Sequence, residues 1–168
     1  MASTVQKTKM EEDSEGKRGQ PTKYYVDATG QILGRMGSKV AKLLISGNSV
    51  VIVNADKVLL SGNRASVMRD FFDRLKIASV VHPKHGPFHP RTPAGMLTRM
   101  IRGMIPRTKP SGVAALRRLR VYTEAPKGLE KVSFTNFEDA KATKPLAYYI
   151  PLGEVAQRIG WKGGAAEA

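Results

Sequence analysis

The chain contains no cysteine, which excludes a disulfide scaffold, a cysteine nucleophile and any thiolate-bound zinc. Long apolar runs are also missing: Val50–Val53 and Val58–Leu60 fall far short of a membrane span. Met1–Gln20 lacks the apolar segment of a secretory signal, so a cytoplasmic location is expected, with no membrane partner. The most informative absence is of negative charge. Between Asp73 and Glu124 there is no acidic residue at all.

That gap dominates the charge balance. Across 168 residues, 28 Lys and Arg face 14 Asp and Glu, a formal charge of +14. Such self-repulsion opposes a compact state unless a polyanion offsets it. The acid-free stretch holds Arg74, Lys76, Lys84, Arg91, Arg99, Arg102, Arg107, Lys109, Arg117, Arg118 and Arg120, together with His82, His85 and His89. Arginine predominates, and its planar fork suits phosphate oxygens better than the point charge of lysine. A surface serving only solubility mixes signs, so this one points to a polyanion: nucleic acid, an acidic protein or an anionic membrane, the last discounted because the apolar faces it needs are required for the core. If roughly 8 of these side chains neutralise phosphates, affinity falls with salt on a log–log slope of about −6 to −7. Charge alone does not choose RNA over DNA. No helix-turn-helix, zinc spacing or basic-zipper heptad is present, however, and the cations lie among Pro and Gly loops suited to folded RNA.

The apolar pattern predicts an α/β domain. Residues 1–22 are polar, balance their own charges and read as a flexible tail; 163–168 read as a second tail, leaving 23–162 as a single domain. Strands are expected at Tyr24–Ala28, Val50–Asn54, Val58–Leu60 and Leu119–Tyr122. Leu33–Ser46 has helical periodicity, with Leu33, Met36, Gly37, Val40, Leu43 and Leu44 on one face and Arg35, Lys39 and Lys42 on the other. For these three cations a merely solvated face is an equal alternative to RNA contact. The strand–helix–strand order implies a parallel βαβ unit. A helix over Arg64–Ala78 should bury Val67, Met68, Phe71, Phe72, Leu75 and Ala78, with Arg69–Asp73 and Asp70–Arg74 paired outside. His82–Pro90 is too rich in proline to be regular. Thr92-Pro93 signals a cap and first residue for a helix to about Met104, followed by a Pro106–Gly112 loop and a short Val113–Arg118 helix. Pro151–Ile159 forms the last helix, Gly160 stops it and Trp161 packs back upon it.

Chemical motifs are few. Gly30, Gly34 and Gly37 in GQILGRMG suggest a phosphate loop, but the spacing matches neither dinucleotide nor P-loop fingerprints. Gly30 is better explained as a turn, and Gly34 or Gly37 as a close approach of helix to sheet. The histidines lack the acids or cysteines of a metal shell, and no Ser-His-Asp set can be assembled around them. Neither a cofactor nor a small-molecule substrate is expected, and no enzyme activity.

The blocks VDATGQILGRMGSKVAKLL (Val26–Leu44), VVIVNADKVLLSGN (Val50–Asn63), RTPAGMLTRMIRGMIPRTKPSGVAALRRLRVY (Arg91–Tyr122) and YIPLGEVAQRIGWK (Tyr149–Lys162) together resemble the L-thirteen family of large-subunit ribosomal proteins. The resemblance implies a three-layer α/β/α sandwich with a small, mainly parallel four-stranded sheet. It also implies binding to large-subunit ribosomal RNA beside neighbouring ribosomal proteins, and a part in early subunit assembly and translation. The short Leu44–Val50 connection resembles the archaeal and eukaryotic branch, and a short C-terminus its archaeal members. Thr108 and Ser111 depart from the family, whose members often carry more cations in that loop. The expected RNA-binding set is Arg35, Lys39, Lys42, Lys84, His85, His89, Arg91, Arg99, Arg102, Arg107, Lys109, Arg117, Arg118 and Arg120. A free messenger-RNA-binding regulator, or less plausibly a small α/β enzyme for a phosphorylated ligand, is the alternative.

Overall fold

A computed structural model of the protein describes residues 22–129 and 132–163. Both expected tails, apart from Thr22 and Gly163, lie outside the described residues.

The strand–helix–strand pattern builds the heart of the fold. Strand β1 (Lys23–Asp27) leads through α1 (Leu33–Ile45) to β2 (Ser49–Val53), which pairs with β1 in parallel from Lys23↔Ser49 to Asp27↔Val53. Strand β4 (Leu119–Val121) adds on the far side of β2, also parallel, giving the order β1-β2-β4. A central strand loses water on both faces, which is why β2 is a continuous apolar run. Val50 and Ile52 enter the main core, and Val51 and Val53 on the opposite face are buried as well.

The main sheet has three strands, not the four expected. The missing one is β3 (Leu59–Ser61), which pairs antiparallel with β5 (Tyr149–Pro151) in a separate ribbon. The cause lies just after β2. Asn54 adopts a left-handed conformation (φ 57°) and opens a 3-10 turn at Ala55–Lys57, turning the chain out of the sheet. Its Nδ2 donates to Asp27 Oδ1 at 2.9 Å, tying the ends of β1 and β2 together.

Helix α1 ends where glycine allows. Gly47 (φ +100°) donates to Leu44 O and Asn48 to Leu43 O, both at 3.2 Å, the paired closure that satisfies terminal carbonyls. Gly37 does bring elements close, but to a helix rather than the sheet: a Cβ there would stand 3.0 Å from Met104 Sδ. Helix α2 (Arg64–Lys76) stops short of Ala78 and is more exposed than its pattern implies. Met68 is buried and Val67, Phe71 and Leu75 are partly so, while Phe72 and Ala78 face solvent. Its internal ion pair among the described residues is Lys76–Asp73 at 2.9 Å, in place of the expected Arg69–Asp73 and Asp70–Arg74 pairs, and Arg64 at its start pairs with Glu154. Helix α3 (Pro93–Gly103) starts as expected, with Thr92 Oγ1 accepting from Gly95 N at 3.3 Å. It buries Met96, Leu97 and Ile101.

Helix α4 (Pro110–Arg117) begins earlier than expected because Pro110 supplies the fixed φ of a first turn. Helix α5 (Leu152–Arg158) closes on Gly160 (φ +105°), and Trp161 N donates back to Ala156 O at 2.9 Å. The Trp161 ring packs against the core, as its sequence position predicts.

Candidate nucleic-acid interface

The expected RNA-binding side chains sort into groups with different local partners. Lys42 lies exposed in the last turn of α1, where the helix dipole favours a cation. Arg35 and Lys39, on the same helix, reach protein groups. Lys39 Nζ pairs with Asp139 Oδ2 at 2.6 Å, and Arg35 Nη1 donates to Asp139 O at 3.4 Å. These two fasten the 138–142 segment across the start of α1. Ile32 N donates to Ala140 O at 2.7 Å and Ala142 N to Gly30 O at 3.3 Å. Protein backbone thus lies over the helix start, where GQILGRMG would have to hold a phosphate.

The Pro-rich segment carries Lys84 and His85 in a 3-10 turn at Pro83–His85, both exposed, with the His82 and His85 rings 5.4 Å apart. His89 Nε2 lies 2.8 Å from Ile77 O, which pins the end of this loop to the end of α2. On α3, the Arg99 guanidinium donates to Phe88 O. Arg102, one turn on, is half-buried and has no side-chain hydrogen bond or ion pair among the described residues. Arg91 lies against Gly160, at the C-terminal end of α5.

Arg107 and Lys109 are exposed on the tight loop between α3 and α4. Lys109 N donates to Pro106 O at 3.0 Å, and a Cβ at Gly112 would fall 2.2 Å from that same oxygen, so only glycine fits. Beyond α4, Arg117 and Arg120 are exposed, with Arg120 Nη1 donating to Arg117 O and Leu119 O at 3.1 Å. Arg118 points the other way. Its guanidinium donates to Leu44 O at 2.8 Å and Asn48 O at 3.3 Å, capping α1. From Lys84 to Arg120 no basic side chain has a carboxylate within ion-pair distance among the described residues.

The hollows fit this division. One of about 320 Å³ is lined by Phe88, Pro90, Gly95, Thr98, Arg99 and Arg102. A larger one, about 660 Å³ beside Trp161, mixes Asp56, Glu124 and Glu154 with Lys57, and Glu154 pairs with Arg64 and Arg158, so it is not a uniformly basic surface. Phe88 escaped notice in the sequence; an aromatic residue set between prolines in a polar loop was the available signal.

A small α/β body bearing guanidinium groups without carboxylate partners on loops and helix ends has the make-up of a polyanion-binding protein. The family model for Ribosomal protein L13 matches residues 21–128. The chain is 42% identical over 147 residues to the large ribosomal subunit protein uL13 of Aeropyrum pernix, covering 87% of this chain and 95% of that one. It is 38% identical over 136 residues to uL13 of Picrophilus torridus (81% and 96% covered) and 39% over 139 residues to that of Methanosarcina barkeri (82% and 97% covered). The chain belongs to the ribosomal protein L13 family, in its archaeal form.

Proposed function

We infer that residues 23–162 act as one RNA-binding unit, a structural constituent of the large ribosomal subunit that grips large-subunit ribosomal RNA through its carboxylate-free face. The protein is not an enzyme, and its role is in translation. It works in the cytoplasm within the large subunit, beside other ribosomal proteins.

The observation that carries this reading is the run of basic side chains from Lys84 to Arg120 with no ion-pair partner in the protein among the described residues. Buried cations require partners, but solvated ones left unpaired at this density repel each other until an anion intervenes. Arg91, Arg99, Arg102, Arg107, Lys109, Arg117 and Arg120 are the phosphate contacts, with Lys84, His85, His89 and Lys42 at the margins. Arg118, Arg35 and Lys39 contribute mainly by holding the elements that present the others. Fixed on a folded body, these groups bind separate RNA segments without first having to be ordered, which suits a protein that acts early in subunit assembly.

Sedimentation of cell extract with immunodetection of the full chain tests the assignment. Co-migration with large subunits, lost after nuclease or in high salt, is the expected result. A chain found wholly at the top of the gradient overturns it.

A further inference from the structure

Phe88 stands 83% exposed between Pro87 and Pro90, yet the backbone that carries it is fixed from several sides. Its carbonyl accepts from Arg99 Nη1, and the adjacent His89 ring is held 2.8 Å from Ile77 O. Pro90 packs over α3 so closely that a Cβ at Gly95 would lie 3.0 Å from Pro90 Cβ. A single exposed phenylalanine is ordinary on a protein surface. This one is a wall of the hollow of about 320 Å³ that also presents Thr98, Arg99 and Arg102.

The chemistry of that hollow is narrow. It offers one aromatic face and two guanidinium groups, with no carboxylate lining it. Its size is at the small end of ligand sites, about 300–1,000 Å³. Arg99 spends one donor on the Phe88 carbonyl and keeps the rest for a phosphate, whereas Arg102 has its whole fork free. An aromatic face next to a free guanidinium matches a nucleobase joined to its phosphate. A base within a duplex shows only its edge, so the ring can be used only by a base that has left its stack.

We propose that the Phe88–Arg102 hollow docks one unstacked nucleobase of single-stranded or bulged RNA, the base lying on the Phe88 ring and its phosphate on Arg102. The proposal rests on the RNA-binding reading above and narrows it from phosphate contact to recognition of an unpaired nucleotide. The fixed loop matters because the platform exists before RNA arrives, so little ordering cost is incurred on binding. The apolar side chain of a protein neighbour is a poorer occupant, since it would bury both arginines without an anion.

Fluorescence anisotropy on the full chain separates the possibilities. The probes are a fluorescein-labelled, mixed-sequence single-stranded RNA of about 12 nucleotides and a fully paired RNA duplex. Phe88→Ala should weaken single-strand binding about tenfold and leave duplex binding and the salt slope unchanged; Phe88→Trp should restore affinity. Arg102→Gln should lower the single-strand slope by about 0.7. Because Phe88 is exposed, its two variants should melt like the parent, which a thermal scan verifies. Unaltered single-strand affinity in Phe88→Ala overturns the proposal and assigns the ring to a protein neighbour. Equal losses on both probes also overturn it, making the ring a support for the loop. If the parent chain binds neither probe, the RNA reading itself fails and this site falls with it.

Discussion

Arg118 and Leu44, 74 positions apart, are joined by a hydrogen bond of 2.8 Å from a guanidinium nitrogen of Arg118 to the Leu44 carbonyl. A cation there donates to Leu44 O in the last turn of α1 and to Asn48 O just beyond it, and meets the negative end of the helix dipole. Arg117 and Arg120, its near neighbours in sequence, are exposed instead. Three arginines within four positions therefore do different work.

Replacing Arg118 by Ala should destabilise the fold by about 1.5–3 kcal/mol, the range for hydrogen bonds to a charged group. Arg117→Ala should stay within about 0.5 kcal/mol of the parent, as surface changes do. Urea unfolding of both variants measures the difference; equal midpoints would show that the Arg118 contacts carry no stability.

Reversing charge at Arg102 and Arg107 together should abolish incorporation into large subunits while far-UV circular dichroism remains that of the parent. Both side chains lack carboxylate partners among the described residues, so the change breaks no ion pair in the fold. Normal incorporation of the double Glu variant would refute the placement of the interface.

Gly112→Ala puts a methyl group 2.2 Å from Pro106 O and 2.6 Å from Pro106 C, both backbone atoms that cannot swing aside. A cost of about 3 kcal/mol is expected, together with weaker RNA binding as Arg107 and Lys109 shift with the loop. Gly103→Ala meets open space at the end of α3 and should stabilise by roughly 0.4–1 kcal/mol. Thermal melts of the pair should move in opposite directions.

Acid stability should depend on Asp27. Burial works to raise its pKa, but the hydrogen bonds from Asn54 and Thr29, with Lys57 nearby, hold it below the ordinary carboxylate value. The folded state then binds fewer protons than the unfolded one, so this contribution is complete above the unfolded pKa and is lost as pH falls through the lowered one. The relevant window lies below about pH 4. Asp27→Asn keeps an acceptor for Asn54 and Thr29 but does not titrate. Its urea midpoint should fall less steeply than the parent's in that range; parallel curves would remove Asp27 from the account.

Elements whose signals are local were legible in the sequence. The amphipathic stripe of α1, the Thr92-Pro93 start of α3 and the glycine stop at Gly160 each depend on a few adjacent residues. What was not legible depends on partners far along the chain. A three-residue apolar run such as Val58–Leu60 does not reveal which strand it will meet, and a left-handed Asn54 diverted it from the main sheet. Phe72 looked buried because helical periodicity marks a face without saying how much of that face is covered. For the site, the missing acids gave the basic stretch and its sign. They could not show that Arg118 turns inward, that Arg35 and Lys39 meet Asp139, or that Phe88 would share a hollow with Arg102.

The pairing of β3 with β5 has a consequence for how the protein comes into being. Leu59–Ser61 emerges from synthesis well before Tyr149–Pro151; Leu59 N can already donate to Gln31 O, but the edge that faces β5 waits for the later segment. Closure of such a distant contact is slow and comes late in folding. The whole stretch from Lys84 to Arg120 is therefore synthesised before the segment that completes the β3 ribbon exists.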